Sequence, residues 1–209
     1  MSNIVKFGSA NLPTAASLAA ALRKTADEAA SGPGVILKMD KTGHWVYGAD
    51  QTEIDRSGIW AVNPLSFIHG YIAWGEGEVL GEHMFPITEE LPELEPLLPA
   101  PPNAKRGWEP QVGMSLKCIS GEDKDVQARF TTTAVGGKKA MHALAMKVAE
   151  QVEKDPDNSV ALVKLGTDHY QHKSYGRVFT PVFEVRDWIS LNGPVEEVAE
   201  TDTGRRRRS

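Results

Sequence analysis

Over most of this chain apolar side chains recur at every second position in short runs, the period of strands half-buried in a sheet. In the first half the runs are "VILKMD" (35–40), "HWVYGA" (44–49), "IWAVNP" (59–64), "SFIHGYIAWG" (66–75) and "EVLGEHMFPI" (78–87). Gly43, Gly58, Pro64 and Gly75–Gly77 supply the turns between them. The second half adds "QVGMSLKCIS" (111–120), "VQARFTTTAV" (126–135), "SVALVKLGTDHY" (159–170) and "YGRVFTPVFEVRDWI" (175–189). Helical spacing replaces this period in two places. "NLPTAASLAAALRKTADEAASGPG" predicts an amphipathic helix over 12–30 that "SGPG" stops, and "KKAMHALAMKVAEQVEK" predicts one over 138–154 with Met141, Leu144, Ala145, Val148 and Val152 recurring at helical spacing.

The later half therefore reads β-β-α-β-β. With one strand of the first half in front it becomes β-β-β-α-β-β, the connectivity of an OB-fold, whose helix lies between its third and fourth strands. The expected fold is mainly β: an OB-fold-like five-stranded barrel with an N-terminal helix and extra strands, forming one domain over 1–192. Within it "TEELPELEPLLPAPPNAK" (88–105) combines five prolines with four glutamates and no period, as an acidic linker or long surface loop does. "NGPVEEVAETDTGRRRRS" has no apolar period either, so 193–209 is expected to be a disordered tail.

The run "KSYGRVFTPVFEVRDW" (173–188) is apolar on both sides, with Tyr175, Arg177, Phe179, Pro181 and Phe183 on one and Val178, Thr180 and Val182 on the other. Since both cannot face one core, Val178, Thr180 and Val182 are expected inside and Tyr175, Arg177 and Phe179 on an open groove. Pro181, unable to donate to a neighbouring strand, places this run at an edge or a bend.

Composition leaves the class of protein ordinary: 209 residues, 41% hydrophobic and 24% charged, values of a soluble globular domain. No apolar run approaches the length of a membrane span and the start lacks a secretory pattern, so the expected location is cytoplasmic, with no membrane partner. The single cysteine, Cys118, excludes an intramolecular disulfide and a multi-cysteine zinc site. Charge changes the picture more. Of a formal net charge of −5, the segment 50–104 holds one basic against ten acidic residues, leaving the later half free to attract a polyanion.

Catalytic patterns are absent. "AVGGKKAMHAL" sets two glycines and Lys138 and Lys139 at a helix start, a place that favours phosphate, but lacks the G-x-x-x-x-G-K-[ST] spacing that wraps a nucleotide. "HYQH" (169–172) is the only metal-like histidine spacing, with Asp168 as its sole acidic neighbour. There is no G-x-S-x-G elbow and no recognisable carboxylate pair. A protein that is not an enzyme, with neither cofactor nor metal, is expected.

Aromatic residues interleaved with basic ones are the positive signal. Bases stack on flat rings for roughly 1–3 kcal/mol each while Lys and Arg follow the phosphates. Lys117, Arg129, Lys138, Lys139, Tyr170, Lys173, Tyr175, Arg177 and Phe179 are the residues expected to contact a single nucleic acid strand. The stretches "KMDKTGHWVYGADQTEI", "WAVNPLSFIHGYIAWGEGEVLGE" and "YGRVFTPVFEVRDW" resemble uncharacterised bacteriophage proteins, some of which look like phage single-stranded DNA-binding proteins. That resemblance spans about residues 34–190 and implies an OB-fold, single-stranded DNA as ligand, a role in phage replication or recombination, and an acidic tail or linker recruiting phage replication proteins. The tail departs from the pattern, because the acidic "EEVAETD" is followed by Arg205–Arg208. A monomer or a dimer is expected. The competing expectation is a protein-binding module or inhibitor of a host enzyme, in which the acidic segment 50–104 imitates nucleic acid.

Overall fold

A computed structural model describes residues 34–94 and 99–190; the helix expected over 12–30 and the tail expected over 193–209 lie outside them. The chain divides into units Met1–Gly34 and Val35–Ser209, and the described residues belong almost wholly to the second. Its strands are β1 (Val35–Met39), β2 (Trp45–Tyr47), β3 (Thr52–Glu53), β4 (Trp60–Val62), β5 (Ile68–Trp74), β6 (Val79–Pro86), β7 (Glu109–Cys118), β8 (Gln127–Thr132), β9 (Val160–His172) and β10 (Gly176–Ile189). One helix, α1 (Val135–Lys154), separates β8 from β9.

All ten strands belong to one sheet. Eight follow the path β10-β9-β4-β7-β8-β1-β2-β3, while β5 pairs with β7 and carries β6. Pairing is antiparallel except between β8 and β1, which run parallel. β4 and β5 succeed each other along the same edge of β7, against Leu116–Cys118 and Glu109–Gly113 respectively. A short 3-10 turn at Pro64–Ser66 makes the step between them. Asn63 caps it by accepting from the Leu65 N–H at 2.9 Å, and the Ser115 N–H of β7 donates to the Ser66 hydroxyl at 2.8 Å.

The sheet is open and curls into a half-barrel around one core. Leu37, Trp60, Val62, Met114, Leu116 and Val163 are buried in it, and α1 adds Met141, Leu144 and Val148. Rings from three distant strands meet there: Trp45 with Phe130 at 5.5 Å, Trp45 with Phe183 at 5.6 Å, and Phe130 with Phe183 at 5.4 Å. Side chains then join the two ends of the sheet. Trp45 Nε1–H donates to the Gly166 carbonyl at 2.8 Å and the Thr167 hydroxyl to the Gly43 carbonyl at 2.8 Å.

In place of the expected five-stranded barrel, the described residues form an open, ten-stranded curled sheet. The difference arises at β8, whose second edge is taken by β1 and so leads the sheet onward to β2 and β3. α1 begins at Val135, three residues before the predicted start at Lys138. Gly136 and Gly137, which argue against helix by propensity, are there for contact: a Cβ on Gly136 would lie 2.5 Å from Thr180, and one on Gly137 2.5 Å from Thr132. The two-residue β3 is too short to show a period. In the loop 88–105, the described parts hold neither helix nor strand, yet its ends are tied to β5 through His69 Nε2 with the Glu89 carbonyl at 2.8 Å and the Lys105 N–H to the Trp74 carbonyl at 2.9 Å.

Because the ring cluster joins β2, β8 and β10, Phe183→Ala should cost about 3–5 kcal/mol in chemical denaturation. Trp45→Phe, which keeps a ring but leaves the Gly166 carbonyl without its donor, should cost about 1–3 kcal/mol. Equal stability of both variants to the parent would show that the curl is held elsewhere.

Candidate nucleic-acid interface

β9 and β10 form the longest hairpin of the sheet, paired from Val160↔Ile189 to His172↔Gly176. β4 covers β9 only from Ala161 to Val163, so the remainder runs on past it. Five of the expected contact residues, Tyr170, Lys173, Tyr175, Arg177 and Phe179, lie on this extension. Alternation divides them between faces. Phe179 and Arg177, opposite His169 and Gln171, share the face of Phe183 and Leu165. Tyr170, opposite Val178, is on the other face, half exposed. Tyr175 lies in the turn, at 80% the most exposed large apolar side chain among the described residues, with its ring stacked on His172 at 4.7 Å.

This register corrects the expectation that Val178, Thr180 and Val182 point inward. The core lies on the aromatic side, because Phe183 completes the ring cluster with Trp45 and Phe130, and large rings bury more area than β-branched side chains. Phe179 continues that side outward, to where the core ends. Its ring packs over Gly43, and a Cβ there would come within 2.5 Å of the ring and 3.0 Å of Thr167. Gly43 also adopts φ +86°, so glycine is required twice over. Pro181 sits on an edge strand, as its missing donor demands.

The other expected cations are placed elsewhere. Lys117 and Arg129 project from the outer sides of β7 and β8, where Lys117 is paired with Asp125 at 2.9 Å and Arg129 with Glu82 at 3.4 Å. Lys138 and Lys139 are in the opening turns of α1. The histidines of "HYQH" are on opposite faces of β9, one against Phe179 and the other against Tyr175. Among the described residues no three His, Cys, Asp or Glu side chains converge on a metal position.

Where Phe179 leaves the core, the β1–β2 turn and β9 enclose a cleft of about 470 Å³, lined among others by Gly43, His44, Arg56, Lys164, His169 and Phe179. Glu53 stands at its rim, 2.8 Å from Arg56 and 3.6 Å from His44. The neighbouring turn is fixed by two carboxylates. Asp123, buried, accepts from the Tyr47 hydroxyl at 2.9 Å and the Asp55 N–H at 2.6 Å. Asp55 accepts from the Ser57 and Glu122 N–H groups and the Ser57 hydroxyl, and these, with the charge of Lys164, hold its carboxyl below the ordinary range. The Asp123 hydrogen bond, followed by burial, raises the Tyr47 hydroxyl, and burial raises the Cys118 thiol, an inert core group hydrogen-bonded to the Ser120 carbonyl.

His44, Arg56 and Lys164 are not among the residues expected from the sequence to contact a nucleic acid strand. They come from separate stretches that meet only because the sheet curls, so no local spacing signals them. Comparison with known proteins finds no family model, no curated protein and no solved structure that matches this chain. No helix among the described residues is long and apolar enough to cross a membrane.

Asp55 sets a pH dependence. A carboxyl depressed in the folded state stabilises fully above its unfolded value, near 3.8, and loses that contribution as pH falls through the folded value. Asp40, depressed by the Thr42 hydroxyl and then by the His44 N–H, acts in the same window. The melting midpoint should hold from neutrality to about pH 4 and drop below it. Asp55→Asn should lower the plateau and flatten the acid drop; an unchanged plateau would remove Asp55 from the fold's supports.

Proposed function

We propose that this chain is a sequence-tolerant single-stranded DNA-binding protein with an OB-fold-like core, acting in phage DNA replication or recombination. The path β8-β7-β4-β9-β10, antiparallel throughout with α1 between β8 and β9, supports the OB reading, since it follows the order third, second, first, fourth, fifth of the strands of that fold. On this assignment β1 occupies the edge of β8 where the fifth strand of a closed barrel would lie.

The observation that carries the reading is the β9–β10 hairpin. It stands where an OB-fold has the loop between its fourth and fifth strands, one of the elements such folds use to grip oligonucleotides. Lys173 and Arg177 supply charge on it and Tyr170, Tyr175 and Phe179 supply rings, the pairing that single strands need. Lys117 and Arg129, on the equivalent of the second and third strands, contribute only once drawn away from Asp125 and Glu82. The acidic-surface alternative gains less, because Glu53 and Glu82 spend their charge on Arg56 and Arg129.

A titration of fluorescent oligothymidine at several salt concentrations tests the proposal. Binding should be tight at low salt and weaken as salt rises. Arg177→Ala should reduce the log–log salt slope by about 0.7, the share of one phosphate contact on a single strand, and leave the melting midpoint unchanged. Tyr170→Ala should cost about 1–3 kcal/mol of binding if a base stacks there. No binding at low salt would end the proposal.

A further inference from the structure

We propose that the cleft between the β1–β2 turn and β9 seats one nucleotide, its ring against Phe179 and His169 and its phosphate at the rim beside Lys164 and Arg56. The inference rests on the single-strand reading and deepens it by naming a place and a binding unit. A cleft of about 470 Å³ falls within the range of small-ligand sites, roughly 300–1,000 Å³.

Its walls are rigid. They are the two ends of the sheet, joined by the Trp45–Gly166 and Thr167–Gly43 hydrogen bonds, both 2.8 Å. Phe179 and His169 form one side as a tilted pair with centroids 5.9 Å apart, and a residue larger than glycine at position 43 would displace the Phe179 ring. A flat ring can lie against this side without changing the fold, which keeps the ordering cost of binding low.

The rim selects an anion. Arg56, from the turn after β3, and Lys164, from β9, both line it, and Lys164 comes close enough to Asp55 to stabilise that carboxylate. Asp55 already accepts hydrogen bonds from its own turn, and Glu53 is engaged by Arg56. A phosphate therefore competes with Glu53 at Arg56 and meets Lys164 more directly, making Lys164 the main charge contact. Beyond Val163, β9 has no strand partner on this side among the described residues, and apart from the Gly166 carbonyl, which the β1–β2 turn takes through Trp45, its main chain can meet the polar edge of a base. A ring, a polar edge and a phosphate together describe a nucleotide, whether part of a strand or free.

The test uses the full chain with two probes, oligothymidine and thymidine 5′-monophosphate, and follows the backbone amide resonances of Gly43, Gly166 and His169. Oligothymidine should shift all three. His169→Ala and Lys164→Gln should each weaken oligothymidine binding about fivefold or more, as loss of one stacked base or one charge does. Lys164→Gln should also cut the salt slope by about 0.7. Lys164→Arg should restore both, and Lys147→Gln on α1 should change neither. Melting midpoints identify any variant that fails to fold, and the amide shifts of the parent protein decide the question independently of variants. Oligothymidine bound equally by parent and variants, with the three amides unmoved, overturns the cleft and leaves the single-strand reading standing. Amides moved by the monophosphate when oligothymidine does not bind keep the cleft as a nucleotide site and end the single-strand reading. Silence from both probes overturns both proposals.

Discussion

The fold depends on closing a curl without a ladder. A sheet whose first and last strands do not pair leaves its concave face open to water unless something spans the gap. Here the span is Trp45. Its ring packs against both Phe130 and Phe183, which also touch each other, and its indole N–H reaches the Gly166 carbonyl on the far strand. Indole suits the position because it combines large apolar area with one donor at its edge. The Thr167–Gly43 bond repeats the join one step outward. Past that point the rings of Phe179 and His169 continue the core's aromatic side with less covering them, and the cleft begins there.

The charge distribution follows from the same geometry. By composition the middle segment is strongly acidic, yet folding sets its acids beside cations from other segments, as with Glu82 against Arg129, or beside a neighbour in sequence, as with Glu53 against Arg56. Exposed pairs of this kind add about 0–1 kcal/mol to stability. Their larger effect is on the surface field, which they flatten over β7 and β8. Segment totals therefore mislead about where a polyanion would be attracted.

Strands were legible in the sequence because alternation is a local property, and the runs around 35–40, 66–75, 111–120 and 175–189 each became a strand within a few residues. α1 was legible from Met141, Leu144 and Val148, but its start was hidden behind Gly136 and Gly137, whose role is contact with Thr180 and Thr132. The choice of inner face on β10 was not legible, since both sides of that strand are apolar and only the positions of Trp45 and Phe130 decide between them. The parallel β8–β1 pair, which turns a five-stranded expectation into a ten-stranded sheet, leaves no local mark on either strand. Of the candidate site, the hairpin half could be read because its rings and charges are contiguous. The cleft half could not, because His44, Arg56 and Lys164 meet only through the curl.

The edges of the β9–β10 hairpin bear on what kind of ligand it suits. A 14-residue strand at the end of a sheet is a template for further strands unless it is blunted. On β10 the blunting is visible in Pro181, in the bulge between Val185 and Asp187, and in the charged pair Glu184–Arg186. On the opposite side, the β1–β2 turn occupies the edge of β9 through the side-chain bonds at Gly166 and Thr167. An added polypeptide strand would find an interrupted ladder on either side. What the hairpin presents instead is side chains on its faces and in its turn, both rings and cations. Those groups match a partner whose own backbone is anionic and whose flat groups are free to stack, which is the physical ground for preferring a nucleic acid strand over a peptide at this arm.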